Sequence, residues 1–137
     1  MAKRVLIAED EPSIVTSLEF LMRKAGFETR AAADGEEALL LLGTFRPHLV
    51  LLDIMLPRRS GLDLCRLIRA DPALSGTRVL MLTAKGGQRE VERGLAAGAD
   101  DYITKPFSTQ DLVERASDML ADAGLRRPPS AARGGGR

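Results

Sequence analysis

The sequence predicts a doubly wound α/β domain, in which five parallel strands alternate with five helices that cover both faces of one sheet. Three observations carry this reading. The run Leu49-Val50-Leu51-Leu52 is apolar without alternation, as a strand buried on both faces requires, and it ends in Asp53. Val5-Leu6-Ile7-Ala8 and Val79-Leu80-Met81-Leu82 repeat the pattern and end in Glu9-Asp10 and Thr83. Between such runs the apolar residues recur at helical spacing, and strands alternating with helices form parallel sheets through right-handed crossovers.

In chain order, the first strand delivers Glu9-Asp10-Glu11, and Pro12 suits the first turn of the helix that follows. Ile14, Leu18, Leu21, Met22 and Ala25 form one face of that helix, which Gly26 terminates. Phe27 to Ala32 read as a weaker second strand. Asp34 then caps the second helix, with Glu37 as the capping-box acid, and the helix runs until Arg46-Pro47. His48 begins the central strand as an ordinary strand-start residue. Beyond Asp53 a loop reaches Gly61, and Leu64, Cys65 and Ile68 mark the inner face of a third helix ended by Asp71-Pro72. The fourth strand brings Thr83-Ala84 to the same sheet edge. A short helix with Val91, Gly94, Leu95 and Gly98 follows, then a fifth strand, Asp100 to Thr104, leading to Lys105-Pro106. Leu112, Val113, Ala116, Met119, Leu120 and Ala123 form the face of the last helix, which stops at Gly124.

A chain of 137 residues is one domain, burying roughly two-thirds of its unfolded surface without a staple. Its one cysteine, Cys65, can form no internal bridge and no zinc spacing is present, which suits a reducing, cytoplasmic setting. No apolar stretch approaches the ~20 residues of a membrane span. Residues 1 to 124 carry 16 basic and 19 acidic side chains, while the segment 125 to 137 carries Arg126, Arg127, Arg133 and Arg137 and no acid. With one Tyr and four Phe, this body offers no basic stacking surface, so direct nucleic-acid binding is not expected. The Pro/Arg/Gly-rich segment 125 to 137 reads as a flexible tail or the start of a linker.

Strand ends at the C-terminal edge of an open parallel sheet are where ligands collect. If the first and third strands are neighbours, Glu9, Asp10 and Asp53 converge there. Three such carboxylates repel one another unless a cation sits among them, and hard oxygen ligands suit Mg²⁺, with Mn²⁺ a possible substitute. Thr83 and Lys105 end the fourth and fifth strands at the same edge. Singly, Asp53 is equally a loop acid, Thr83 a strand-end cap and Lys105 a surface charge.

The segments "AEDEP", "VLLDIMLPRRSG", "VLMLTAK" and "GADDYITKPF", in that order, resemble the receiver domain of two-component response regulators over residues 4 to 124. The resemblance implies a flavodoxin-like sheet of strand order 2-1-3-4-5. It implies that Asp53 accepts a phosphoryl group from a histidine kinase, a histidine phosphotransfer protein or a small donor, so that the domain is a phosphoacceptor rather than a turnover enzyme. Glu9, Asp10, Asp53 and the backbone carbonyl of Met55 would hold Mg²⁺, and Thr83 and Lys105 would meet phosphoryl oxygens. A cis Lys105–Pro106 peptide would aim the lysine inward. Tyr102 would be the switch ring, moving with Thr83 past the small Ala84 to remodel helix four, strand five and helix five for a downstream effector or output domain. The resemblance is compatible with a monomer or with a phosphorylation-dependent dimer; Asp101, Asp111 and Arg115 match interfacial charges of the DNA-binding sub-family, whereas Val91 and Asp122 stand where it carries basic residues. Arg59 stands where the family usually has an apolar residue.

Three other readings remain open at this level. The chain could be the N-terminal part of a longer regulator. A flavodoxin-like FMN carrier would want a Ser/Thr/Gly-rich phosphate loop where Glu9-Asp10-Glu11 stands. A phosphate-ester hydrolase would want a second acid near the nucleophile, where Ile54 and Met55 stand.

Overall fold

The computed structural model of the chain describes residues 2–84 and 87–121. Strands β1 (Arg4–Ala8), β2 (Glu28–Ala32), β3 (Leu49–Asp53), β4 (Arg78–Thr83) and β5 (Asp101–Thr104) alternate with helices α1 (Pro12–Lys24), α2 (Gly35–Thr44), α3 (Gly61–Ala70), α4 (Gln88–Ala97) and α5 (Thr109–Ala121). All strand pairs are parallel, in the order β2-β1-β3-β4-β5, the doubly wound arrangement that the sequence predicts.

The unbroken apolar runs are buried as expected, because alternate residues serve two cores. Leu6, Ala8, Val50, Leu52, Val79 and Met81 pack against α2 and α3 on one face. Val5, Ile7, Leu49, Leu51, Leu80 and Leu82 pack against Leu18 and Met22 of α1 and Leu112, Ala116 and Met119 of α5 on the other. β3 lies in the middle of the sheet and is buried along its whole length, so Asp53 leaves the sheet at its best-supported point.

Local chemistry sets the boundaries. Pro12 begins α1, whose last turn gives way to Gly26 at φ 98°. The Asp34 side chain accepts from the Glu37 N–H at 2.8 Å, while the Glu37 carboxylate accepts from the Ala33 N–H at 3.0 Å, so the box closes one residue further out than its usual form. Ser60 caps α3, accepting from the Asp63 N–H at 3.1 Å. Small corrections to the sequence reading follow from the strand ladders. Phe27, His48 and Asp100 each stand one residue before the strand they were expected to open. The His48 imidazole instead takes the Arg4 N–H on Nδ1 at 2.9 Å, and the Asp100 carboxylate takes the Val79 N–H at 2.8 Å. α3 is followed by an unforeseen 3₁₀ turn, Pro72–Leu74, capped by Asp71. The expected end of the last helix at Gly124, Asp122 and the segment 125 to 137 lie outside the described residues.

Candidate functional site

Parallel pairing places the β1, β3, β4 and β5 ends at one edge. Ala8 pairs with Leu52, Asp53 with Leu82 and Thr83 with Thr104, so Glu9-Asp10, Asp53, Thr83 and Lys105 leave adjacent strands within two residues of one another's level. Each of Glu9, Asp10 and Asp53 offers a carboxylate oxygen, and these three atoms lie within 4.8 Å of one another. Glu9 and Asp53 are buried and Asp10 is exposed, which gives the cluster a dry floor and an open rim. Two backbone amides orient the buried acids: Glu11 N–H donates to Glu9 Oε2 at 3.1 Å, and Met55 N–H donates to Asp53 Oδ1 at 2.9 Å.

Lys105 reaches into the cluster, its Nζ 2.8 Å from Glu9 Oε1 and 3.2 Å from Asp53 Oδ2. The Lys105–Pro106 peptide is cis. Burial pushes the Glu9 carboxyl above the ordinary 4.5, and the neighbouring Asp53 charge adds to the rise, against the pull of Lys105 and the Glu11 amide. For Lys105 burial acts the other way, yet its contacts with Glu9 and Asp53 outweigh it and hold the ammonium above the usual 10.5. With all three acids ionised, one lysine leaves two negative charges uncompensated. Glu9 Oε1 is moreover buried without a directed hydrogen bond, its lysine contact being ionic. A divalent cation with oxygen ligands fits that deficit, and the open side at Asp10 leaves room for water.

Thr83 is buried, and its hydroxyl points to the Ile103 carbonyl at 3.5 Å; the Lys105 N–H donates to the Thr83 carbonyl at 2.7 Å. Ala84 is exposed beside it. Tyr102 pairs in register with Met81 and is half-buried against the α2/α3 core. Met55 is exposed in the loop after β3, its backbone amide on Asp53.

Sequence reasoning missed what fastens this loop. Arg58 Nε lies 3.3 Å from Asp34, Arg59 Nη2 lies 3.3 Å from Glu36, and the Gly35 N–H donates to the Pro57 carbonyl at 3.0 Å. Arg59, in its unusual position, thus ties the β3–α3 loop to the start of α2. No sequence signal pairs residues 34 to 36 with 57 to 59. Arg115, read as an interfacial charge, makes its ion pairs within the chain, with Asp101 at 3.3 Å and Asp111 at 3.2 Å.

Residues 5–117 match the response regulator receiver domain family, and the chain belongs to that family, the receiver domains of two-component systems. The DNA-binding response regulator MtrA of Mycolicibacterium smegmatis is 46% identical over 120 residues, which cover 88% of this chain and 51% of MtrA. The chain therefore spans about half the length of the curated relatives it matches. Among solved structures, a response regulator from Chloroflexus aurantiacus superposes with a TM-score of 0.84 at 39% identity, covering 88% of this chain and 99% of that one. The receiver domain of sensor histidine kinase PA1611 from Pseudomonas aeruginosa, solved with a magnesium ion coordinated in its active-site cleft, superposes with a TM-score of 0.81 at 30% identity, covering 89% and 100%. Among the described residues no helix is long and apolar enough to cross a membrane.

Proposed function

We propose that Asp53 is the phosphoacceptor of this receiver, taking a phosphoryl group from the phosphohistidine of a sensor kinase or phosphotransfer protein, or from a small donor such as acetyl phosphate. The observation that carries the reading is the meeting of Glu9, Asp10 and Asp53 within 4.8 Å, with the Lys105 ammonium 3.2 Å from the Asp53 carboxylate. Phosphoryl transfer asks a protein for positioning and charge neutralisation more than for covalent work. Asp53 supplies the nucleophilic oxygen, and the Met55 amide on Oδ1 leaves Oδ2 facing the lysine side of the site. Lys105 holds its proton throughout and neutralises charge on the transferred group. The Thr83 hydroxyl exchanges its long contact with Ile103 for a phosphoryl oxygen. Glu9, Asp10, Asp53 and the Met55 carbonyl would hold Mg²⁺, which would supply the remaining positive charge, a reading that the magnesium in the PA1611 receiver supports. Mn²⁺ would serve in its place.

The reading extends to output. Movement of Thr83 frees space for Tyr102 to turn past Ala84, which biases the α4–β5–α5 surface towards a state recognised by an effector, an output domain or a second copy of the chain. Residues 1–124 form the receiver unit and 125–137 a tail or linker. The domain is a phosphoacceptor that acts on itself and turns over no external substrate.

The test is incubation with acetyl phosphate and Mg²⁺ followed by intact-mass measurement. The parent should gain one phosphoryl mass, and Asp53→Asn should gain none; modification of Asp53→Asn at the parent's rate would remove the assignment.

A further inference from the structure

The opposite edge of the sheet, where the strands begin, carries a cavity of about 310 Å³ lined by Arg4, Arg46, Pro47, His48, Ala73, Leu74, Gly76 and Thr77. No carboxylate is among these residues, although the body of the chain is net acidic. Three of the eight carry positive or protonatable side chains. Neither Arg4 nor Arg46 is in an ion pair among the described residues, and Glu28, the strand neighbour of Arg4, pairs with Arg30 at 3.6 Å.

The donors left over are specific. Arg4 spends Nε and Nη2 on the Phe45 and Arg46 carbonyls at the end of α2, at 2.8 and 2.9 Å, and its Nη1 makes no hydrogen bond among the described residues. His48 accepts the Arg4 N–H on Nδ1, so in the neutral ring Nε2 carries the proton, and that N–H is likewise unused. The Gly76 N–H makes no hydrogen bond among the described residues, and Gly76 is exposed, with open space where a Cβ would stand. Arg46 is exposed and held at φ 51°, and its guanidinium is in no ion pair among the described residues. The positive field is also felt by the imidazole: burial first, then Arg4 and Lys3, hold His48 below the usual 6.5.

We propose that this cavity is an anion site for a phosphate-class dianion, inorganic phosphate or a small phosphomonoester, bound by Arg4, Arg46, the His48 Nε2–H and the Gly76 amide. The chemistry follows from the donor set. Guanidinium groups favour planar or tetrahedral oxyanions, an exposed glycine amide can approach an oxygen closely, and no carboxylate lines the cavity to repel the anion. The volume lies at the lower end for small-molecule sites, which suits a phosphate or a short phosphomonoester. This site lies on the far side of the sheet from Asp53 and stands independently of the phosphoacceptor reading.

The test is amide NMR of the metal-free protein in EDTA, titrated with inorganic phosphate and separately with glycerol 3-phosphate, with sodium chloride at matched ionic strength as control. EDTA keeps a metal from recruiting phosphate to the acidic edge. The Gly76, Thr77 and His48 amides should shift saturably with phosphate or the ester and not with chloride, and the tighter of the two identifies the source. Arg46→Asn removes the charge with a residue that tolerates the left-handed backbone, and should weaken binding roughly tenfold, the scale of one charge-assisted hydrogen bond. Shifts that grow without saturation, shifts matched by chloride, or the parent's affinity in Arg46→Asn would each overturn the proposal.

Discussion

Glu9 sits where its charge is most expensive, buried beside Asp53 with one oxygen lacking a directed hydrogen bond. Its folded pKa lies above the ordinary 4.5 because burial disfavours the charged form. The folded state therefore binds this proton more tightly than the unfolded chain, and stability falls as pH rises from about 4.5 through the raised value. Lys105 stays charged across that window, since its pKa is raised from 10.5, so it adds no slope there. Glu9→Gln should remove the loss, making the metal-free variant gain on the parent as pH rises towards 8. Melting temperatures in EDTA between pH 4.5 and 8 check this, and parallel curves would show that Glu9 is not under strain. The same substitution should weaken metal binding, so the residue trades metal-free stability for a site.

At the scale of elements, the site depends on how loops are tied to helices. Gly35 opens α2 directly under Arg59: a Cβ there would stand 2.2 Å from the Arg59 carbonyl oxygen, which is backbone and cannot swing away. Gly35→Ala should therefore destabilise the protein by about 1–3 kcal/mol through overpacking, measured by urea unfolding. It should also displace the loop that carries Met55. An unchanged unfolding midpoint would mean that the loop yields freely. β4 and β5 carry the proposed switch. Ala84 is exposed beside Thr83, and Tyr102 is only half-buried, so the ring has somewhere to go. We predict that Ala84→Val keeps phosphorylation by acetyl phosphate while losing most of the chemical-shift change in residues 90–121 when beryllofluoride and Mg²⁺ stand in for the phosphoryl group. The parent's full pattern in Ala84→Val would place the switch elsewhere. The far ends of α3, α4 and β5 are firmly held: Arg69 donates to the Gly98 and Thr77 carbonyls at 2.8 and 2.7 Å and to Asp100 at 2.6 Å. Motion of the proposed α4–β5–α5 switch surface is therefore expected at the end nearest the site.

For the whole molecule, the acids Glu9, Asp10 and Asp53 gather where β1 and β3 end, and Arg4, Arg46 and His48 gather where the same strands begin. A cation that binds the folded acidic edge stabilises the entire fold, because the unfolded chain cannot assemble Glu9, Asp10 and Asp53. At 100 times its dissociation constant Mg²⁺ should add roughly 2.7 kcal/mol, visible as a rise in melting temperature. Asp10→Ala should lose most of that rise while retaining the metal-free melting temperature, since Asp10 is exposed. An equal rise in the variant would move the metal to another place.

Much of this architecture was legible in the residues because it rests on local chemistry. Unbroken apolar runs mark buried parallel strands, Pro12 and Asp34 mark helix starts, and each run ends in the side chain that it presents at the edge. Strand burial, helix faces and the identity of the acidic edge are properties of short segments. Neighbour relations are not. The ordering β2-β1-β3-β4-β5 makes Glu9 a neighbour of Asp53, and it followed from family resemblance rather than from any segment's pattern. The Lys105 contact with Glu9, the ties of Arg58 and Arg59 to the start of α2, and the gathering of Arg4, Arg46, His48 and Gly76 around one cavity join residues far apart in the chain. Side-chain periodicity reports which face of an element is buried, whereas long-range electrostatic partners are set by packing of one element on another, and that was decided only by the tertiary structure.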